Sequence, residues 1–301
     1  MRLALALAAI ALTSASPVMA EGRAKIGEGR LFNNDYLGDG SDRWRTGSYI
    51  YSYVTARDDY TGTEAFGDLI EYRFRAEIIA ASRRSQAPGD RPYVGALSFG
   101  AHTHFDYRNT QLSLGADIMA IGPQTGLSDF QLAFHDTFDF PDPPYVDTQL
   151  GNRFLLNGVA AATKTYSLSD RVTLRPFLEA QAGAEDMIRA GGDIIIGEVA
   201  QSDLMLRDVV TGQLYRGTEA DGVSGISYVI GADIASVFDS SYLPSDMGYA
   251  VSDTRARARA GVYWQLRDDV SFFYGATYLG EEFQGQQEGQ VLGSLKINFN
   301  F

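Results

Sequence analysis

The sequence predicts an all-β fold, a transmembrane antiparallel β-barrel of about twelve strands, with a short α-helix in an extracellular loop. Three observations carry that expectation. Long segments alternate apolar and polar residues with period two, aromatic residues gather near the ends of those segments, and the last segment alternates up to Phe301. In the stretch from Tyr93 to Phe105 the odd positions include Tyr93, Leu97, Phe99 and Phe105, and the even positions include Ser98, His102 and His104. Arg255, Arg257 and Arg259 likewise alternate with Ala256, Ala258 and Ala260. A soluble β-sandwich also alternates. However, the segments here often run ten residues or more, nearer the roughly 9–11 of a membrane strand than the roughly five to six of a globular one.

Along the chain, Arg2 is followed by an apolar run from Leu3 to Leu12 and by Val18-Met19-Ala20, which reads as a secretory signal peptide over 1–20. That leaves 21–301 as a single barrel domain. The apolar run is shorter than the roughly 20 residues a transmembrane helix needs. Strands are expected to begin near Arg30, Trp44, Asp68, Arg91, Gln111, Arg153, Arg171, Asp186, Ile226, Thr254, Val270 and Gln290. Tyr49, Tyr51, Tyr53, Phe272, Tyr274 and Tyr278 fit an interfacial girdle. The last strand, from Val291 to Phe301, has the form of the signal read by the barrel assembly machinery of Gram-negative bacteria.

With the N-terminus in the periplasm, the turns Asp106–Asn109, Ser167–Asp170 and Arg267–Asp269 fall at the periplasmic end, where short turns belong. The long connection from Glu198 to Gly225 also falls there and has no account beyond a possible hairpin. Four segments fall at the extracellular mouth: Tyr36–Arg43, Arg83–Asp90, Gly122–Asn152 and Ser240–Ser252.

Composition limits the partners. The chain has no cysteine, so disulfides contribute nothing, and its net charge of −13 argues against nucleic acid. Beside an anionic lipid surface such a chain needs divalent cations or local arginine clusters.

Candidate chemistry lies in two mouth segments. In the long loop, Ser128 stands three residues before Gln131, the spacing of a capping box. Phe130, Phe134 and Phe138 then form one stripe of an amphipathic helix, with His135 about 100° round from Phe134. A lone histidine is more often structural than catalytic. Asn33-Asn34-Asp35 and Thr46 bring hard oxygen atoms to the first hairpin, suited to calcium or to an ester carbonyl. Asp39, Ser41 and Asp42 lack the later Glu of an EF-hand and read as a turn. His102 and His104 read as a satisfied lumen pair. Arg255, Arg257 and Arg259 read as a lumen ion-pair network with residues such as Glu71, Glu77 and Glu179, or else as the lining of a pore.

Asn34-Asp35, Thr46-Gly47, Gly89-Asp90-Arg91-Pro92-Tyr93 and Ile121-Gly122-Pro123, followed by Gln131 and His135, resemble in order and spacing the calcium-dependent lipid A 3′-O-deacylases, the LpxR family. No one of these motifs is distinctive; the ordered set is. The resemblance implies a twelve-stranded outer-membrane barrel, with its site at the extracellular face between the outer wall and a loop helix. It implies hydrolysis of the ester-linked 3′-acyloxyacyl chain of lipid A, with lipopolysaccharide and outer-membrane lipids as partners. It further implies His135 as general base on a water, Ca2+ held near Asn34 and Asp35, and Thr46 positioning these groups. Two departures stand out. The family's Glu after the histidine is matched most directly by Pro141, with Asp139 and Asp142 as alternatives. Its loop Lys is matched by Arg83 and Arg84, whose guanidinium groups suit lipid A phosphates. The competing readings are a non-enzymatic barrel (a small channel or a structural protein) and an outer-membrane phospholipase. Bulky and charged lumen residues favour a filled interior over an open pore.

Overall fold

A computed structural model describes residues 22–60, 65–82, 90–141, 146–201, 203–218, 223–267 and 270–299. The signal segment, Arg83, Arg84, Asp142 and Phe301 lie outside the described residues. Twelve wall strands close on themselves: β1 (Arg23–Asn34), β2 (Trp44–Arg57), β3 (Leu69–Ala80), β4 (Val94–Tyr107), β5 (Thr110–Ile121), β6 (Arg153–Thr163) with its short continuation β7 (Tyr166–Ser169), β8 (Val172–Ala182), β9 (Glu185–Ile196), β12 (Gly225–Ser240), β13 (Thr254–Arg267), β14 (Val270–Leu279) and β15 (Gln290–Phe299). All neighbours are antiparallel. Both β6 and β7 pair with β8, and β1 meets β15 at Phe32↔Leu295, Asn33↔Ser294 and Asn34↔Gly293, which shuts the wall. Two expected starts shift: β1 begins at Arg23, earlier than Arg30, and β4 begins at Val94, because Arg91, Pro92 and Tyr93 still belong to the preceding loop.

The alternation falls as the membrane requires. On β12 the outward Ile226, Tyr228, Ile230, Ile234 and Phe238 are exposed, and the inward Val229, Asp233, Ala235 and Val237 are buried. Water is absent on the outside of such a wall, so its apolar side chains face lipid and its polar ones must be satisfied inside. At the β4–β5 corner Arg108 and Asn109 both take positive φ, 50° and 59°, the two-residue turn whose twist suits a tight hairpin.

The long connection between β9 and β12 is the main surprise. It carries a hairpin, β10 (Met205–Arg207) and β11 (Leu214–Arg216), that lies inside the barrel. Its Leu204, Met205, Leu206, Leu214 and Tyr215 pack on lumen residues Leu31, Ile50, Val54, Ile195, Val229, Tyr263 and Phe273 as one buried cluster. Tyr215 shares a hydrogen bond with Ser52 (2.9 Å), and Gln213 donates to Thr277 (3.1 Å). β11 runs close against β1, where a Cβ on Gly27 would overlap the carbonyl oxygen of Gly217, so only glycine admits the approach.

Around the hairpin the lumen is charged and paired. Arg257 donates to Asp233 (2.9 Å), Arg259 to Asp193 (2.7 Å) and to Asp233, and Arg255 to Glu185 (2.6 Å). These partners replace those expected from sequence. Glu71 binds Arg73 and His104, Glu77 binds Arg45 and Arg75, and Glu179 lies 3.7 Å from Arg189. Which carboxylate an arginine meets across a barrel depends on register and diameter, which single strands do not encode. His102 sits 3.1 Å from Asp117 and His104 2.9 Å from Glu71, so both point into the lumen with a carboxylate partner, as the satisfied pair requires.

Candidate active site

β1 ends by splitting two neighbours. Its period of two turns Asn33 into the lumen, where it donates to Ser48 (2.9 Å) and to Asp208 of the interior hairpin (3.1 Å). Asn34 faces outward opposite Gly47. Its amide donates to the carbonyl oxygen of Thr46 (2.9 Å), and its Oδ1 accepts from the Tyr36 amide (3.0 Å).

Thr46 owes its position to a bulge. Pairing of β2 with β3 jumps from Arg45 to Gly47, leaving Thr46 as the extra residue, and bulges of this kind re-aim side chains beside active sites. The hydroxyl of Thr46 reaches Asp35 Oδ2 and Asp42 Oδ1, at 2.6 Å each. One hydroxyl has one proton to donate, so two acidic side chains converge on a group that can serve only one of them as donor. Asp35 also accepts the backbone amides of Tyr36 (2.7 Å) and Arg43 (3.0 Å), and among the described residues no basic side chain pairs with it. Burial pushes the Asp35 carboxyl up to about 7, with the nearby Asp42 charge adding, against the pull of the hydrogen bonds from Thr46, Arg43 and Tyr36. Asp39 is spent within the loop, accepting from Ser41 (3.0 Å), Arg43 (3.1 Å) and Val291 (3.0 Å), as a turn residue should.

These groups offer oxygen donors, and the buried Asp35 carboxylate with Asp42 beside it suits a hard divalent ion such as calcium. The donor set of Asn34, Asp35, Asp42 and Thr46 therefore fits calcium in chemistry.

Helix α1 (Leu127–Phe138) lies on the outside of the wall. Tyr93 and Gly95 carry on the outward phase of Leu97 and Phe99. Tyr93 donates to Gln131 of α1 (2.8 Å), and a Cβ on Gly95 would stand 2.6 Å from Thr125 Oγ1 and 3.1 Å from the Leu127 side chain. The helix therefore rests directly on backbone at that glycine. The expected capping box is absent. Gly126 in the left-handed region caps the helix without a side-chain bond, and Ser128 and Gln131 are both buried. The amide of Gln131 serves the contact with Tyr93 of the wall instead. With His135 they form the covered face of α1, and Phe130, Phe134 and Phe138 form the exposed one.

His135 is 8% exposed, and its Nδ1 lies 2.6 Å from the carbonyl oxygen of Pro141. A carbonyl only accepts, so the shared proton sits on Nδ1 and the lone pair of neutral imidazole is left on Nε2. Pro141 is the residue that the sequence resemblance matches to the family's Glu, and here its backbone oxygen faces Nδ1. Asp139 sits in the left-handed region (φ 57°) as the C-cap of the helix. Phe140 packs edge-on against His135 at 5.8 Å and reaches Tyr36 at 5.9 Å. Tyr36 directly follows Asp35, so this ring pair joins the two halves of the site. No hydrogen bond links His135 to Asn34, Asp35 or Thr46. Sequence reasoning missed Tyr36 and Phe140, whose only signal is aromatic character at a loop edge.

The Asp90-Arg91-Pro92-Tyr93 motif braces the rim. Asp90 accepts from the Trp44 indole (3.0 Å) and the Ser82 amide (2.5 Å), and Arg91 donates to Glu282 (2.5 Å).

The family model described as outer membrane protein LpxR matches residues 3–301 of this chain. Among solved structures, LpxR from Salmonella typhimurium is similar over 91% of this chain and 100% of its own, at TM-score 0.73 and 17% identity, a likeness of fold. The KdgM porin in complex with disordered oligogalacturonate (6% identity, 91% of this chain and 98% of its own, TM-score 0.41) is far more distant. So is the translocator domain of the autotransporter NalP from Neisseria meningitidis (10%, 100% and 96%, TM-score 0.41). No curated protein matches the chain in sequence.

Proposed function

The chain belongs to the LpxR family of outer-membrane proteins, and on that premise we propose that it is a calcium-dependent ester hydrolase removing the 3′-acyloxyacyl chain from lipid A of lipopolysaccharide at the extracellular face. The observation that carries this reading is the Nδ1–H···O bond from His135 to Pro141, which leaves Nε2 as a base at the outer wall. In this mechanism Nε2 of His135 takes a proton from a water as it attacks the ester carbonyl, and the Pro141 oxygen stabilises the imidazolium that forms. Phe140 and Phe134 flank the imidazole and exclude bulk water. Asn34 and Asp35 would hold calcium, with Thr46 and Asp42 alongside. When bound, the ion supplies positive charge beside the ester carbonyl oxygen. The signal over 1–20, delivery through the barrel assembly machinery, and phosphate contacts by Arg83 and Arg84 complete the proposal.

A channel is disfavoured by the interior hairpin, whose side chains span the lumen from Ser52 on β2, through Tyr215, to Asp193 on β9, through Arg207. Mass spectrometry of lipid A tests the proposal. Outer membranes from cells making the protein should show lipid A lighter by an acyloxyacyl unit, and cells making His135→Ala should not. Unchanged lipid A with the parent protein correctly inserted would refute the deacylase reading.

A further inference from the structure

The helix α1 is amphipathic in the inverse sense. Its polar residues Ser128, Gln131 and His135 are buried on the wall, and its phenylalanines point away. In water that arrangement would be costly, since each exposed Phe leaves a large apolar area unburied. The rings are not scattered. Phe130, Phe134 and Phe138 stand at successive turns, with centroids 6.3 and 4.7 Å apart, so the stripe runs about 12 Å along the helix. Phe140 continues it, at 6.2 Å from Phe134, and Tyr36 closes it, at 5.9 Å from Phe140. The result is one continuous aromatic track. It borders His135 through Phe140 and reaches Asp35 through Tyr36. The same loop then re-enters the wall at β6, whose outward Phe154 and Leu156 are 73% and 70% exposed to the lipid side. The wall on which α1 rests is apolar on that same outer side, with Phe99 of β4 exposed, and the track ends at the candidate base.

We infer that this track, made by Phe130, Phe134, Phe138, Phe140 and Tyr36, is the seat of the substrate's fatty acyl chain, and that it sets chain-length preference by bringing the ester to rest at His135. The inference rests on the ester-hydrolase reading and adds to it which side chains hold the apolar part of the substrate. The occupant is an acyl chain, as opposed to a protein or a second copy of this chain. The track opens on the lipid-facing side of the wall, presents a run of aromatic rings with Asp129, Asp136 and Asp139 at its edges, and leads to a group suited to ester chemistry. Rings along one edge of an alkyl chain discriminate by length, because each further methylene held against them adds close dispersion contacts that a disordered lipid or micelle interior does not supply.

Two synthetic glucosamine esters, one with a fourteen-carbon and one with a six-carbon 3-O-acyl chain, test this in the same detergent micelles. The parent protein should favour the longer ester in kcat/KM, and Phe134→Ala/Phe138→Ala should cut that preference by at least about tenfold. Phe238→Ala, on the far lipid-facing wall, should leave the preference intact. The same two esters are also titrated onto His135→Ala protein with and without the double substitution, which reads chain selectivity without turnover. Loss of selectivity in both assays upholds the track as the chain seat. A double variant that binds both esters as selectively as the parent overturns it. So does a double variant weakened equally toward both lengths, which would make the phenylalanines a plain bilayer anchor. Selective binding by His135→Ala with no hydrolysis by the parent would uphold the track and refute the deacylase reading instead.

Discussion

The two histidines inside the barrel and the one outside it make an instructive pair of environments. His102 and His104 each face a carboxylate, Asp117 and Glu71, in a lumen crowded with arginine. His135 faces only a backbone carbonyl, on the outer surface, under a layer of phenylalanine. Titratable groups are densest where they do structural work: the lumen pairs Arg189, Arg257 and Arg259 with Asp233 alone. The candidate site is sparse by contrast. It has one imidazole with a free nitrogen and two carboxylates converging on one hydroxyl. A count of charged residues would send attention to the wrong side of the wall.

The largest effect separating the two regions should come from chelation. Excess chelator should stop deacylation and added calcium should restore it, whereas Asp35→Ala should abolish the rescue. Full activity in chelator would remove calcium from the rim. Next in size, His135→Ala should lower the deacylation rate by about 10²- to 10⁴-fold with heat-modifiable migration on gels unchanged. His102→Ala should spare the rate and cost about 1–3 kcal/mol of stability, from Asp117 left without its donor. Equal rate losses in the two variants would erase the contrast. Asp233→Ala should act through stability alone, by about 3–5 kcal/mol, because it strands buried guanidinium groups, and the unfolding transition of the gel-purified barrel reports it. Smallest of all, Asp139→Asn should change the rate by less than about twofold, since asparagine keeps the left-handed cap and the Nδ1 partner is Pro141. A loss comparable to that of His135→Ala would make Asp139 the partner in solution.

Much of the wall was legible beforehand, and the reason is mechanical. A strand between lipid and a filled lumen must alternate, so Arg255 to Trp264 announces its faces without help from neighbours. The interior hairpin hid because its strands are three residues long, too short for a period to show, and because it is buried on all sides. Ser128 and Gln131 had the spacing of a cap, but Gln131 has the duty of a wall contact, a distinction that depends on Tyr93, far off in sequence. At the candidate site, Asn34, Asp35, Thr46 and His135 are named through the family resemblance of the ordered set, and the structure brings Asn34, Asp35 and Thr46 together. The partner of His135 could not, because a main-chain oxygen leaves no mark on residue identity. Arg83 and Arg84 lie outside the described residues.

The hairpin between β9 and β12 also constrains how the molecule comes into being. It lies inside a wall whose closing strand, β1, rests on it at Gly27 and Gly217, and whose seam residue Asn33 donates to Asp208 of the hairpin. The hairpin is bonded to opposite walls, to Ser52 on β2 and to Asp193 on β9, so wall and filling depend on one another. That mutual dependence favours strands wound around the hairpin, as staves around a mandrel, with the first and last stave joined at the end. Shortening 198–224 should then show itself as barrels that stall open during assembly, before any question of catalysis arises.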